Sequence, residues 1–241
     1  MLEIGRWILD GLGAIGGSFW IQGQLDRKLK NRAFNRLFNI RPNEKLVIVC
    51  PSQSQLSVPP NVVTTHEDSM ALAAIQSQVI EHGVPHKVKL HLHLDNKDKA
   101  EHLFLVCAPK SNSATRESLS YPSRQLPFVF SEVGGKWVIQ DDRGHQTYAP
   151  SEPGRLDFAI IAKAANPWSS QERRTFVYIA AGIEGLGTWG AAYYLATRTD
   201  DLARKLRAER ISSATAFVAL IRSEGRGNYP PVPTLLEVRV L

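Results

Sequence analysis

Three stretches of this chain carry residue types and spacings that could do chemistry, and each follows an apolar run. The sharpest is TFVYIAAGIEGLGTWGAAYYLA, where an apolar run ends in Gly182 and is followed by Gly185, Gly187, Thr188 and Gly190, and then by an Ala-rich segment with helical periodicity. Glycines allow positive φ and close approach of backbone to ligand, and free amides at a helix start attract an anion. The spacing is not GxGxxG, so the dinucleotide fingerprint is not met. The alternative role for these glycines is a tight turn that packs a helix on a sheet.

The second stretch, LFLVCAPKSNSATRESL, sets Lys110, Ser111 and Asn112 between an apolar run and a helix started at Thr115. Lys110 is a point charge suited to phosphate, although the Gly-Lys-Ser/Thr element of a Walker loop is missing. Between the two loops an anionic small molecule, a nucleotide or phosphorylated metabolite, is the expected ligand. Lys110 would neutralise charge, Gly182, Gly185, Gly187 and Thr188 would contact the anion, and Asn112 would orient its polar end.

The third stretch follows Leu46–Cys50, where Pro51 to Ser54 open a polar loop that leads to Thr64-Thr65-His66-Glu67-Asp68. Capping alone explains most of these residues. Glu184 or Asp68, with Glu67 nearby, would be the acid of a nucleotide hydrolase or glycosidase, the rival reading. His91, His93 and Asp95 would share one face of a strand, but no third ligand of zinc spacing is found, so no metal is expected. No GxSxG elbow occurs, and the sequence names neither a reaction nor a cofactor.

The elements that must position these loops alternate. Apolar runs at Leu46–Cys50, Val88–Leu94, Leu103–Cys107, Phe158–Ala162 and Phe176–Ala180 read as strands. A helix over 71–80 is capped by Thr65 or Asp68 and stopped by Gly83 and Pro85. Short runs at Phe128–Phe130 and Trp137–Gln140, around Gly134-Gly135 and Arg143-Gly144, read as hairpin strands inserted at a sheet edge, and Ala216–Arg222 and Leu235–Leu241 as two final strands. The expected fold is α/β: a Rossmann-like open, mostly parallel sheet over 42–241, preceded by a basic helical arm over 1–41.

The elements LVCAPKSNSAT and FVYIAAG resemble the GGPxxNxxT element and the V-x-V-A-G strand of the Rossmann-like domain at the C-terminus of archaeal S-layer proteins, and of related cytoplasmic proteins. The resemblance covers mainly residues 45–200. It implies an open α/β fold and gives Pro109, Asn112, Thr115 and Gly182 as family-pattern positions, with no catalytic residue. Cys107-Ala108 stands where the family has paired glycines.

Composition agrees with a globular chain: 241 residues, 43% hydrophobic and 22% charged. Cys50 and Cys107 end apolar runs, as buried thiols of a reducing, cytoplasmic compartment do. The net charge of +6 is concentrated early, with eight basic against four acidic residues over 1–45, leaving the body at +2. Leu25, Leu29, Ala33, Phe34, Leu37 and Phe38 recur at helical spacing opposite Arg27, Lys28, Lys30, Arg32 and Arg36, a basic amphipathic helix. Before it, Trp7 and Trp20 flank an apolar segment that is too short for a clean span and is interrupted by Asp10. The arm is expected at an anionic membrane surface, in homo-oligomer contacts through Gly13 and Gly17, or packed on its own domain. Nucleic acid is not an expected partner, because the aromatic interleaving of RNA-binding surfaces is missing.

Overall fold

The computed structural model describes residues 33–35, 37–41, 43–51, 65–121, 126–143, 146–151, 154–170, 174–212, 215–227 and 229–241. The expectations for Trp7, Gly13, Gly17, Trp20 and the polar loop at 52–64 fall outside them. In chain order the elements are β1 (Leu46–Cys50), α1 (His66–Glu81), β2 (His86–Leu90), a 3-10 turn (His91–His93), α2 (Asn96–Lys99), β3 (His102–Val106) and α3 (Ser113–Leu119). Then come β4 (Phe128–Val133), β5 (Lys136–Asp141), β6 (Thr147–Tyr148), β7 (Leu156–Ala165), β8 (Phe176–Gly182), α4 (Gly185–Ala208), β9 (Phe217–Arg226) and β10 (Tyr229–Val240).

Seven strands form one open sheet in the order β10-β9-β7-β8-β3-β1-β2. The run β8-β3-β1-β2 is parallel, whereas β7, β9 and β10 pair antiparallel. The sheet is therefore mixed, an α/β architecture with a parallel half. Residues 128–148 do not join its edge, as the hairpin pattern suggested. They form a separate antiparallel sheet, β4-β5-β6, turned through Gly134 and Gly135, both at positive φ.

The period-2 alternation of buried strands assigns the layers. Ile48, Phe104, Tyr178, Ile161 and Ala219 face one core together with α1, α4 and the end of the N-terminal arm. Val49, Leu105, Ile179, Ile160 and Leu220 face a second core with Ala114 of α3, Phe128 and Ile139. Helices α1 and α4 thus pack on the same face and against each other. They carry the chain in opposite directions across the sheet, from β1 to β2 and from β8 to β9, so the two crossovers are of opposite hand. Almost all such crossovers are right-handed. The arrangement sets the start of both helices side by side at the carboxyl edge of the parallel strands.

The strand reading fails at one place. The run Val88–Leu94 pairs only as far as Cys50↔Leu90, where β1 ends, and the chain turns into the 3-10 segment. Without a partner strand the two-residue period lapses, and His91, His93 and Asp95 form no common face. His91 meets the Ser113 hydroxyl at 2.8 Å, and Asp95 caps α2. No group of three potential metal ligands exists among the described residues.

The described end of the arm belongs to the core. Ala33, Phe34, Leu37 and Phe38 are buried. Phe34 stacks on Phe38 and on His82, with centroids at 4.4 Å and 4.0 Å. Its last carbonyls are capped from the sheet: the buried Lys163 ammonium donates to Leu37 O at 3.0 Å, and the Tyr178 hydroxyl donates to Phe38 O. A cation at a helix carboxyl end is favourable, yet burial still pulls Lys163 down to about 8. Further on, Glu44 pairs with the buried ring of His102, Oε2 to Nε2 at 3.1 Å. The Phe176 amide donates to Nδ1 of that ring, which fixes the neutral tautomer with its proton on Nε2. The apolar side chains of Ala33, Phe34, Leu37 and Phe38 are therefore covered by protein. Among the described residues no helix is long and apolar enough to cross a membrane.

Phe34→Ala should lower the unfolding free energy by about 3–5 kcal/mol, the cost of emptying a buried aromatic site. Urea denaturation measures it, and a loss under about 1 kcal/mol would show that the arm is only appended to the domain.

Candidate functional site

Helix α4 begins earlier than the glycine spacing suggested. Gly185, Gly187 and Gly190 lie inside its first turns rather than in a loop, with Glu184 as N-cap. A Cβ on Gly187 would stand 2.6 Å from Phe158 O and 2.7 Å from the Asp157 carboxylate, and one on Gly190 would overlap the Ser223 hydroxyl. Gly182 would meet the Thr188 amide, and Gly185 the Glu67 side chain at 2.9 Å. These glycines serve close approach of helix to sheet and of α4 to α1, a packing role.

The anion that the α4 amides attract is internal. Asp157, 1% exposed, lies near the start of β7. Its Oδ2 accepts from the Gly187 amide at 2.6 Å and the Glu184 amide at 2.9 Å, and its Oδ1 from Phe158 N at 2.7 Å. Burial pushes its pKa up to about 6 against these three donors, and neighbouring Glu184 pushes the same way. Thr188 is committed too: its hydroxyl accepts from Gly182 N at 3.0 Å, and its amide donates to Glu184 O at 3.3 Å. The Gly185 and Leu186 amides make no hydrogen bond to another described residue.

Asn112 is likewise occupied. It is fully buried and caps α3, its Oδ1 accepting from Ala114 N and Thr115 N, while its Nδ2 donates to Val106 O at 2.8 Å. Thus Asn112 and Gly187 spend their polar groups inside the scaffold, whereas Gly182 and Thr188, bonded to each other, still line a cleft. Thr115 is buried in α3.

At the start of α1, Thr65 is the N-cap and its hydroxyl accepts from Asp68 N at 3.1 Å. Asp68, 6% exposed, accepts a hydrogen bond from the Cys107 thiol at 2.7 Å. Burial, with this carboxylate alongside, pushes Cys50 up to about 11 and raises Cys107 further, so both thiols stay protonated and unreactive. Cys107 adopts a φ of 86°, a conformation that glycine takes freely and other residues rarely. Cys107 is thus a strained residue that gains the bond to Asp68.

The groups that remain open gather in two adjoining clefts. A smaller one of about 150 Å³ is lined by Asp68, Cys107, Lys110, Ser111 and Thr188. A larger one of about 820 Å³ runs toward the small sheet, lined by Glu67, Lys136, Trp137, Ser151 and Leu186. Thr65, Glu184 and Gly185 wall both. Lys110 is not a free cation, since its ammonium lies 3.0 Å from Glu184 Oε1, with 28% and 57% of the two side chains exposed. Lys110, Ser111, Gly185, Glu184, Glu67 and Asp68 thereby line the joined clefts. Lys136 and Trp137 line the larger cleft, while Trp189, within the glycine-rich segment, is 4% exposed and packs edge-on to His66. The chain matches no protein-family model, no curated protein and no solved structure.

Two outcomes test this geometry. Gly190→Ala should cost about 1–3 kcal/mol by overpacking, and Ser223→Gly added to it should return most of the loss; equal stability of the single variant and wild type would refute the close contact. Because the folded pKa of Asp157 lies above the usual carboxylate value, the folded state binds the extra proton and stability falls as pH rises from about 4 to about 6. Relative to Asp157→Asn, the wild type should lose up to about 3 kcal/mol over that interval, whereas parallel pH profiles would mean that Asp157 titrates like an exposed carboxylate.

Proposed function

We propose that the protein is a Rossmann-like module that binds a phosphorylated small molecule of the nucleotide class in the joined clefts. The observation that carries this is position. The clefts open at the carboxyl edge of parallel strands, where two helix starts converge, which is where open α/β sheets take ligands. Lys110 can exchange Glu184 for a ligand phosphate, the Gly185 and Leu186 amides supply donors at the positive end of α4, and Trp137 offers a ring face for a base. Glu67 suits a ribose hydroxyl.

A second reading, hydrolysis of such a ligand, draws on the carboxylates of Glu184 and Glu67 sharing one cleft wall. Glu184→Gln separates the two. Under the hydrolytic reading the wild type should turn the ligand over and the variant should not, whereas under the binding reading both should leave it bound and unaltered.

A thermal-shift screen of nucleotides and phosphosugars tests the binding. At about 100 times Kd a ligand adds ~2.7 kcal/mol, a Tm rise of roughly 5–10 °C for a chain of this size. Trp137→Ala and Lys110→Ala should each remove most of that rise; a rise unchanged in both variants would put the ligand elsewhere.

A further inference from the structure

The charge around the clefts narrows the ligand class, on the premise that they bind a nucleotide. Among their described lining residues, three carboxylates, Glu67, Asp68 and Glu184, stand against two ammonium groups, Lys110 and Lys136. One of those cations already pairs with Glu184. Lys136 is exposed at the β4–β5 turn, where solvent screens it. The dipole of α4, which in phosphate-binding folds faces the ligand, is met from below by the buried Asp157 carboxylate on the Gly187 and Glu184 amides. A phosphate entering here gains the Lys110 ammonium and two amides, and each additional charge it brings meets Glu67, Asp68 and Glu184 with only the exposed Lys136 to offset them among the described lining residues.

We infer that these clefts select a nucleoside carrying a single negative charge, a phosphodiester rather than a di- or triphosphate, with Glu184 as the specificity-determining residue that sets the charge limit. A singly charged phosphate takes over Lys110 from Glu184, and the released carboxylate turns to a ribose hydroxyl or to solvent. A triphosphate would place its outer charges beside Glu67 and Asp68, where like charges repel. An uncharged nucleoside keeps the ring contact with Trp137 but leaves the Lys110–Glu184 pair in place.

The test is isothermal titration of the full chain, free of divalent cations, with adenosine, adenosine 3′,5′-cyclic monophosphate, AMP and ATP, and with the matching uridine series. In at least one series the singly charged ligand should bind about tenfold more tightly than the triphosphate and more tightly than the nucleoside, a difference of ~1.4 kcal/mol per tenfold. Glu184→Gln should tighten the doubly charged mononucleotide by about tenfold and narrow the gap to the triphosphate. Affinity that climbs with phosphate number in the wild type, and is unmoved by Glu184→Gln, would overturn the charge limit while leaving the cleft as a nucleotide site. Absence of binding in both series, with the protein folded by circular dichroism, would overturn the nucleotide reading itself.

Discussion

The seating of α4 on a single buried carboxylate organises this molecule. Asp157 gathers the Gly187 and Glu184 amides, and it can do so because β7 runs antiparallel to β8. The first residues of β7 consequently lie at the sheet edge where β8 ends and α4 begins. A parallel neighbour would present its last residues there instead. Once the helix start is held, its packing face must be small: Gly187 rides over Asp157, and Gly190 over Ser223, the residue that pairs with Asp157 in the β7–β9 register. The cost is a carboxylate taken out of water, seen in its raised pKa.

The same bond changes the meaning of the glycine-rich segment. In an anion-binding loop, glycines clear space for a ligand beside free amides. Here most of that space is filled by the protein's own side chains, so what is left for a ligand lies to the side, along Gly185 and Leu186 and the wall shared with α1. Because α1 and α4 pack on one face, that wall is built from two helix starts, with Glu67 and Asp68 on one and Glu184 on the other. The resulting cleft is polar and close to charge balance rather than strongly electropositive.

Much of the scaffold was legible in the residues. The runs Leu46–Cys50 and Phe176–Ala180 pair as parallel strands about β3, Thr65 caps its helix, and Gly134-Gly135 turns a hairpin, because each depends on local patterning and on glycine's conformational range. What depended on non-local partners was hidden. His91 and His93 leave the strand because β1 ends opposite Leu90. The pairing of Lys110 with Glu184 bridges residues far apart in the chain, and Asp157 carried one faint signal, a lone carboxylate beginning an apolar run. That Trp137 lines a cleft while Trp189 is buried was hidden for the same reason: a ring's exposure depends on which layer covers it, and the small sheet's separation from the main one was not written in its hairpin pattern. Of the residues singled out in the sequence, Lys110, Glu184, Glu67 and Asp68 wall the joined clefts, Asn112 spends its polar atoms inside the scaffold, and Thr188 bonds Gly182 at the wall of the smaller cleft.

The central claim, that a ligand occupies the clefts between the starts of α1 and α4 and the small sheet, is met most directly by amide and indole chemical-shift mapping of the full chain titrated with a singly charged nucleoside phosphodiester. The account expects the largest saturable shifts at the Gly185 and Leu186 amides, the Lys110 loop and the Trp137 indole, with the β2 and β10 edges unmoved. Saturable shifts confined to the β2 or β10 edge, or none at these four positions at millimolar ligand, would contradict it.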